Sequence, residues 1–303
     1  MLSGKRNSAL QILSLLLVFL HCQASSHNYH FVVKEATYTR MCSTKEILAV
    51  NGKFPGPVLQ LIKVIQSMSM STTTADTTSL STGMEQKPVQ TEPCPPLEGT
   101  IWSHAHSDWS RATVYGAIIV YPKRGASYPF PQPHEEVPII LGQWWKRDIM
   151  EVFEEFVRTG GEPNVSDAHT INGQPGDLYP CSKSETFKLF VDENKAYLLR
   201  IINAAMNSIL FFSIANHNLT LVGADGSYTK PVTGDYIAIS PGQTLDALLL
   251  TNQQVGQYYM AARAYSSSPA VAFDNTTTTA IVQYNNRNST PFSSPPILPY
   301  LTY

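Results

Sequence analysis

Read for hydrophobic and polar positions, the chain breaks into short apolar or alternating segments rather than long amphipathic ones. Residues 137–142, 186–191, 197–202, 209–215, 236–239, 245–251, 257–262 and 279–284 each form such a segment. Gly, Pro and Asn turns separate many of them, and short strands so spaced predict an all-β sandwich or barrel. Tyr29 to Tyr38 is rich in apolar and aromatic residues and predicts a further strand. Asn51-Gly52-Lys53-Phe54-Pro55-Gly56-Pro57 follows it as a turn-rich connection. One segment departs from the pattern. Asp148 to Val157 carries apolar residues at helical spacing among acidic ones, which predicts a helix on a loop between strands.

At 303 residues and 43% hydrophobic content the chain can bury a real core, and two domains are the natural expectation. A net charge of −2 gives no footing for nucleic-acid binding or for a polybasic membrane contact. Residues 1–24 read as a secretory signal peptide. Lys5 and Arg6 form its positive region, Leu10 to Leu20 its apolar run, and Cys22-Gln23-Ala24 its cleavage site. The apolar run is too short to span a membrane comfortably, so the expectation is a secreted protein. Sequons at Asn164, Asn218, Asn275 and Asn288 suit glycosylation on that route. Without the signal, Cys42, Cys94 and Cys181 remain, enough for one disulfide and an odd thiol in an oxidising compartment.

Two stretches disturb this order. Ser67 to Thr82 is dominated by Ser, Thr and Met without core periodicity, as in a flexible polar segment. Pro291 to Pro299 is a proline-rich extended linker.

Candidate chemistry concentrates in Trp102-Ser103-His104-Ala105-His106-Ser107-Asp108-Trp109-Ser110-Arg111-Ala112-Thr113-Val114-Tyr115-Gly116. Two histidines two residues apart on a strand face the same way, and neutral imidazole suits copper, zinc and iron. The surrounding pattern resembles the second copper motif of plant laccases, members of the blue multicopper oxidase family. Further blocks follow in the family's order. They are Tyr38 to Cys42, Val50 to Pro57, Val137 to Trp145, Thr170 to Gly176, Tyr197 to Ala204 and Ala224 to Pro231.

The resemblance implies tandem cupredoxin-like Greek-key β-sandwiches. On it, residues 25–134 are an incomplete first domain, aberrant over 61–97, and 135–290 a complete second one. Residues 291–303 are expected to be a linker toward a third domain that the sequence does not contain. The family's activity is copper-dependent one-electron oxidation of phenols or lignols, coupled to reduction of oxygen to water. Four motifs supply its copper ligands: H-W-H-G, W-x-H-A-H, H-P-x-H-x-H and H-C-H. The second is present here, so His104 and His106 would each bind one copper of the oxygen-bridged pair. Ser103 stands where the family usually has a second tryptophan. His134, His169 and His217 match no copper motif and are expected on loops or strand faces. Cys94 has no flanking histidine to make it a blue-copper thiolate. The family's pattern pairs Cys42 with Cys181.

The first motif has a trace in the polar stretch. Thr82-Gly83-Met84-Glu85 back-translates so that the neighbouring reading frame gives His-Trp-His-Gly, which suggests a frame slip beginning just after Gln60. The reading that follows is a secreted laccase homologue, not catalytically competent as this chain, with partial or weak copper binding. One alternative is an active laccase acting on phenolic small molecules in lignin or phenolic metabolism. Another is a non-enzymatic secreted glycoprotein that partners intact laccases. A lectin or adhesion module has no motif behind it beyond the fold.

Overall fold

The computed structural model describes residues 29–63, 98–106, 109–266, 271–285, 296 and 298–299. The chain divides into Met1–Phe31 and Val32–Tyr303, and the described strands all belong to the second unit. The strands are β1 (Val33–Arg40), β2 (Ser43–Val50), β3 (Leu59–Ile62), β4 (Gly99–His104), β5 (Tyr115–Tyr121), β6 (Glu135–Trp144), β7 (Ala168–Ile171), β8 (Lys188–Val191), β9 (Ala196–Asn203), β10 (Leu210–Ile214), β11 (Leu219–Ala224), β12 (Ser227–Gly234), β13 (Tyr236–Ile239), β14 (Thr244–Leu250), β15 (Gln257–Ala264) and β16 (Thr277–Tyr284). Helix α1 (Ile149–Thr159) lies between β6 and β7, on the loop where helical spacing predicted it. Asp148 caps it by accepting from the amides of Met150 and Glu151, and Gly160 ends it at φ 64°.

Two large sheets face each other, in the order β12-β11-β14-β9-β6-β7 and β13-β10-β15-β16-β8. Parallel pairing of β6 with β9 and of β8 with β16 joins strands that are not consecutive, as in sandwiches of the cupredoxin type. Leu141, Leu199, Ile201, Phe212, Met260 and Val282 pack between the sheets in one apolar core. Each such side chain, fully buried, contributes about 1.5–3 kcal/mol.

The other face of the six-stranded sheet is covered as well. Ile140, Trp144, Ile202 and Ala204 pack there against Ile47, Phe54, Tyr115 and Ala117 from β2, β5 and the turn after β2. Two-sided burial explains why β9 reads as a continuous apolar run, Ala-Tyr-Leu-Leu-Arg-Ile-Ile-Asn, instead of an alternation. Alternate residues of one strand serve two cores. A two-stranded sheet, β1-β2, and a three-stranded one, β3-β5-β4, supply the covering layer.

β3 continues past Gln60 into the stretch 61–97 that the sequence marks as an expected departure from the family's pattern. Leu61 lies opposite Val120 and Ile62 opposite Tyr121 in a parallel ladder with β5, because two apolar, strand-forming residues still match that strand. The rest of the polar stretch, Cys94, the signal segment, Asn288 and most of the proline-rich linker lie outside the described residues.

Cys42 and Cys181 are joined by a disulfide with Cα atoms 5.4 Å apart, 139 residues apart in sequence. Cys42 sits with Met41 in the two-residue turn between β1 and β2, both at positive φ (61° and 53°), the conformation that tight hairpins demand. Arg40 strengthens the same junction by donating to the Gly173 carbonyl at 2.7 Å and to Glu185 at 2.9 Å. A crosslink of this kind typically contributes about 2–4 kcal/mol.

Candidate metal centre

β4 ends at His104, which lies opposite Tyr115 on β5. The ladder extends one bond further, with the Ala105 amide donating to the Val114 carbonyl at 2.9 Å. His106 therefore keeps strand-like spacing from His104, and the two imidazoles lie face to face, 4.6 Å between centroids. Trp102 completes the row, its ring 4.3 Å from that of His104. The Trp102 Nε1–H donates to the Gly242 carbonyl at 2.9 Å, which fixes the indole from the neighbouring sheet's loop. Ser103 points away, its hydroxyl 3.4 Å from the Gly116 carbonyl, and provides no second indole.

The chemistry of His104 follows from one contact. Nδ1 is 2.9 Å from the Ala105 carbonyl oxygen, which can only accept, so Nδ1 carries the proton and Nε2 presents its lone pair. Burial pushes the His104 pKa below its ordinary value. The bond to Ala105 opposes that shift, and His106 and Arg111 reinforce it. A neutral imidazole with one nitrogen engaged and the other free is the form that ligates a metal. Among the described residues no three His, Cys, Asp or Glu side chains gather into a metal-binding group. The pair fits copper as two imidazole donors.

The remaining histidines are engaged elsewhere. His134 is exposed just before β6, 4.0 Å from Asp192. His217, in the turn between β10 and β11, is buried, with Nδ1 2.7 Å from the Ala215 carbonyl and Nε2 2.7 Å from the Tyr284 hydroxyl. His169 lies fully buried on β7, with Nδ1 3.3 Å from Asp274. Among the sequons, Asn164, Asn218 and Asn275 are exposed, whereas the Ser166 of the first is buried and hydrogen-bonded to Asp274.

Burial pushes His217 below its ordinary pKa, opposed by its bond to Ala215. It does the same to His169, opposed by Asp274. The unfolded chain then takes up protons first as pH falls, so the contribution of both groups is complete above about pH 6.5 and declines below it. The urea midpoint is expected to fall between about pH 7 and pH 5, with His217→Gln flattening the slope. A midpoint constant over that range would contradict the argument.

Sequence reasoning missed two buried polar groups. One is Arg200 on β9, bound to Glu136, Asp246 and Tyr128. An arginine inside an otherwise apolar strand was the available signal. The other joins His169, Asp274, Ser166 and Gln143, residues scattered over the sequence without a local motif.

The two facing sheets with a histidine pair at a strand end make a β-sandwich that could present two imidazoles to a metal. Residues 135–287 match the family model described as Multicopper oxidase, and the chain belongs to that family. It is 49% identical over 313 aligned positions to Laccase-14 of Arabidopsis thaliana, covering 95% of this chain and 55% of the relative. It is 44% identical over 326 positions to Laccase-3 of Oryza sativa subsp. japonica, covering 99% and 58%. The chain thus spans a little over half the length of these relatives. Among solved structures, the laccase from Botrytis aclada superposes with a TM-score of 0.65 at 20% identity, over 89% of this chain and 54% of that one. Fet3p, a multicopper oxidase that functions in iron import, gives 0.66 at 18%, over 92% and 55%. At such identity these two structures speak for the fold.

Proposed function

We propose that this polypeptide is a secreted laccase homologue that holds copper weakly through His104 and His106 and does not by itself oxidise phenols. The observation that carries the reading is the ligand supply around that pair. His104 and His106 present imidazoles side by side, and Trp102 and the Ala105 carbonyl orient the first of them. Copper there would supply a redox-active cation, and the chain's own part is to bind and orient it. The sequence has eight histidines and four cysteines, and none of the cysteines lies in an H-C-H motif. Residues 25–134 and 135–290 are read as two cupredoxin-like domains, a division supported by the family match lying within the second. The amino-terminal signal pattern and the sequons support secretion and glycosylation. Among the described residues no helix is long and apolar enough to cross a membrane.

Titration with Cu(II), followed by calorimetry and electron paramagnetic resonance, tests the copper site. A single weak site is expected, with affinity reduced at least about tenfold in His104→Ala or His106→Ala, since even outer partners of metal ligands matter by that factor. Equal binding by wild type and both variants would move the site elsewhere.

A further inference from the structure

Hydrogen bonds run without a gap from a buried carboxylate to the arginine of the histidine-bearing loop. The side chain of Asp274 is buried and accepts at Oδ2 from the Ser166 hydroxyl, with His169 Nδ1 3.3 Å from the same oxygen. Its Oδ1 accepts from the Thr276 amide at 2.9 Å. Ser166 Oγ in turn accepts from Gln143 Nε2 at 2.8 Å, and Gln143 Oε1 accepts from the Met206 amide at 2.8 Å. The Met206 carbonyl accepts from the Arg111 guanidinium at 2.9 Å, and Arg111 Nε lies 3.4 Å from the Met206 sulfur. Arg111 sits in the short turn Ser110–Ala112, whose end leads to Val114, the residue that accepts the Ala105 amide between the two histidines.

The direction of these bonds has one source. An ionised carboxylate only accepts, so the Ser166 O–H must point at Asp274, and its lone pair is left for the Gln143 NH2. The Gln143 amide is thereby turned so that its oxygen meets the Met206 N–H. A neutral amide at position 274 can donate as well as accept, and the fixed polarity is lost.

We propose that Asp274 is a positioning residue for the histidine-bearing loop, acting through Ser166, Gln143 and Met206 on Arg111. The inference extends the histidine-pair reading of function and rests on it where copper is concerned. The loop geometry itself is testable without metal.

The test uses the full chain and the variants Asp274→Asn, Gln143→Leu and the two combined. Amide hydrogen exchange is followed at Ala105, Thr113 and Val114, with Ala261 and Val282 in the opposite sheet as references. Asp274→Asn is expected to speed exchange at the loop amides by about tenfold, the scale of losing one charge-assisted bond, and to leave the references unchanged. Gln143→Leu should do the same, and the double variant no more than either one. In copper-loaded protein the resonance spectrum of the imidazole-bound Cu(II) should change in both single variants, which a loss of global stability alone would not produce.

Unchanged loop exchange in Asp274→Asn, or additive effects in the double variant, would overturn the proposal. If Asp274→Asn does not fold, Gln143→Leu decides by the same measurement. Failure of wild type to bind copper would strike the functional reading alone, since the exchange result does not depend on metal.

Discussion

Copper-loaded protein of this sequence is expected to lack intense blue absorption and to consume no oxygen with a phenol such as syringaldazine. Blue copper requires a thiolate ligand beside imidazoles. Of the four cysteines, Cys42 and Cys181 are joined to each other, and Cys22 and Cys94 have no histidine on both sides. Electrons from a phenol would therefore have no entry metal. Oxygen reduction needs several coppers acting together, and His104 and His106 are two donors where the family's motifs supply many more. Removing such a relay is not a graded effect. The rate should match that of free copper at the same concentration, a loss of the whole catalytic factor rather than a part of it. Steady oxygen uptake above that background, or a blue band that disappears in His104→Ala, would refute the proposed reading. Mixing with an intact laccase distinguishes a third outcome, because activity confined to the mixture would assign the chain a partner role.

The strands around residues 137–142, 197–202, 236–239 and 279–284 were legible in sequence because apolar runs and turn residues bracket them closely. The helix from Ile149 was legible for a related reason, since Asp148 and the 3.6-residue spacing are both local signals. β7 and β11 were not legible. β7 owes its burial to partners on β6 and β16 rather than to its own composition. The histidine pair could be read from the spacing alone, because a period of two fixes a common face. Its surroundings could not. The Gly242 carbonyl that holds Trp102 comes from a turn 140 residues away, and no periodicity reports such a meeting. His169 shows the opposite limit. It was expected on a loop or strand face, and it does lie on a strand, yet its partner Asp274 arrives from a distant loop and makes it part of a buried network.

Arg200→Met is expected to destabilise the fold by about 3–5 kcal/mol, the range for removing one partner of a buried ion pair. Arg200 is fully buried on β9, directly opposite Asp246 on β14. Its NH1 donates to Asp246 at 3.1 Å, and its NH2 to Glu136 at 2.7 Å and to the Tyr128 hydroxyl at 3.0 Å. Tyr128 passes a hydrogen bond on to Glu136, and Thr100 on β4 donates to the other oxygen of Asp246. One guanidinium thus neutralises two carboxylates and holds the histidine-bearing strand against the six-stranded sheet. Methionine fills much of the volume but leaves both carboxylates without the guanidinium that neutralises them. The deficit is measured by urea unfolding of wild type and variant at neutral pH. A deficit under about 1 kcal/mol would mean that packing rather than charge pairing holds this junction.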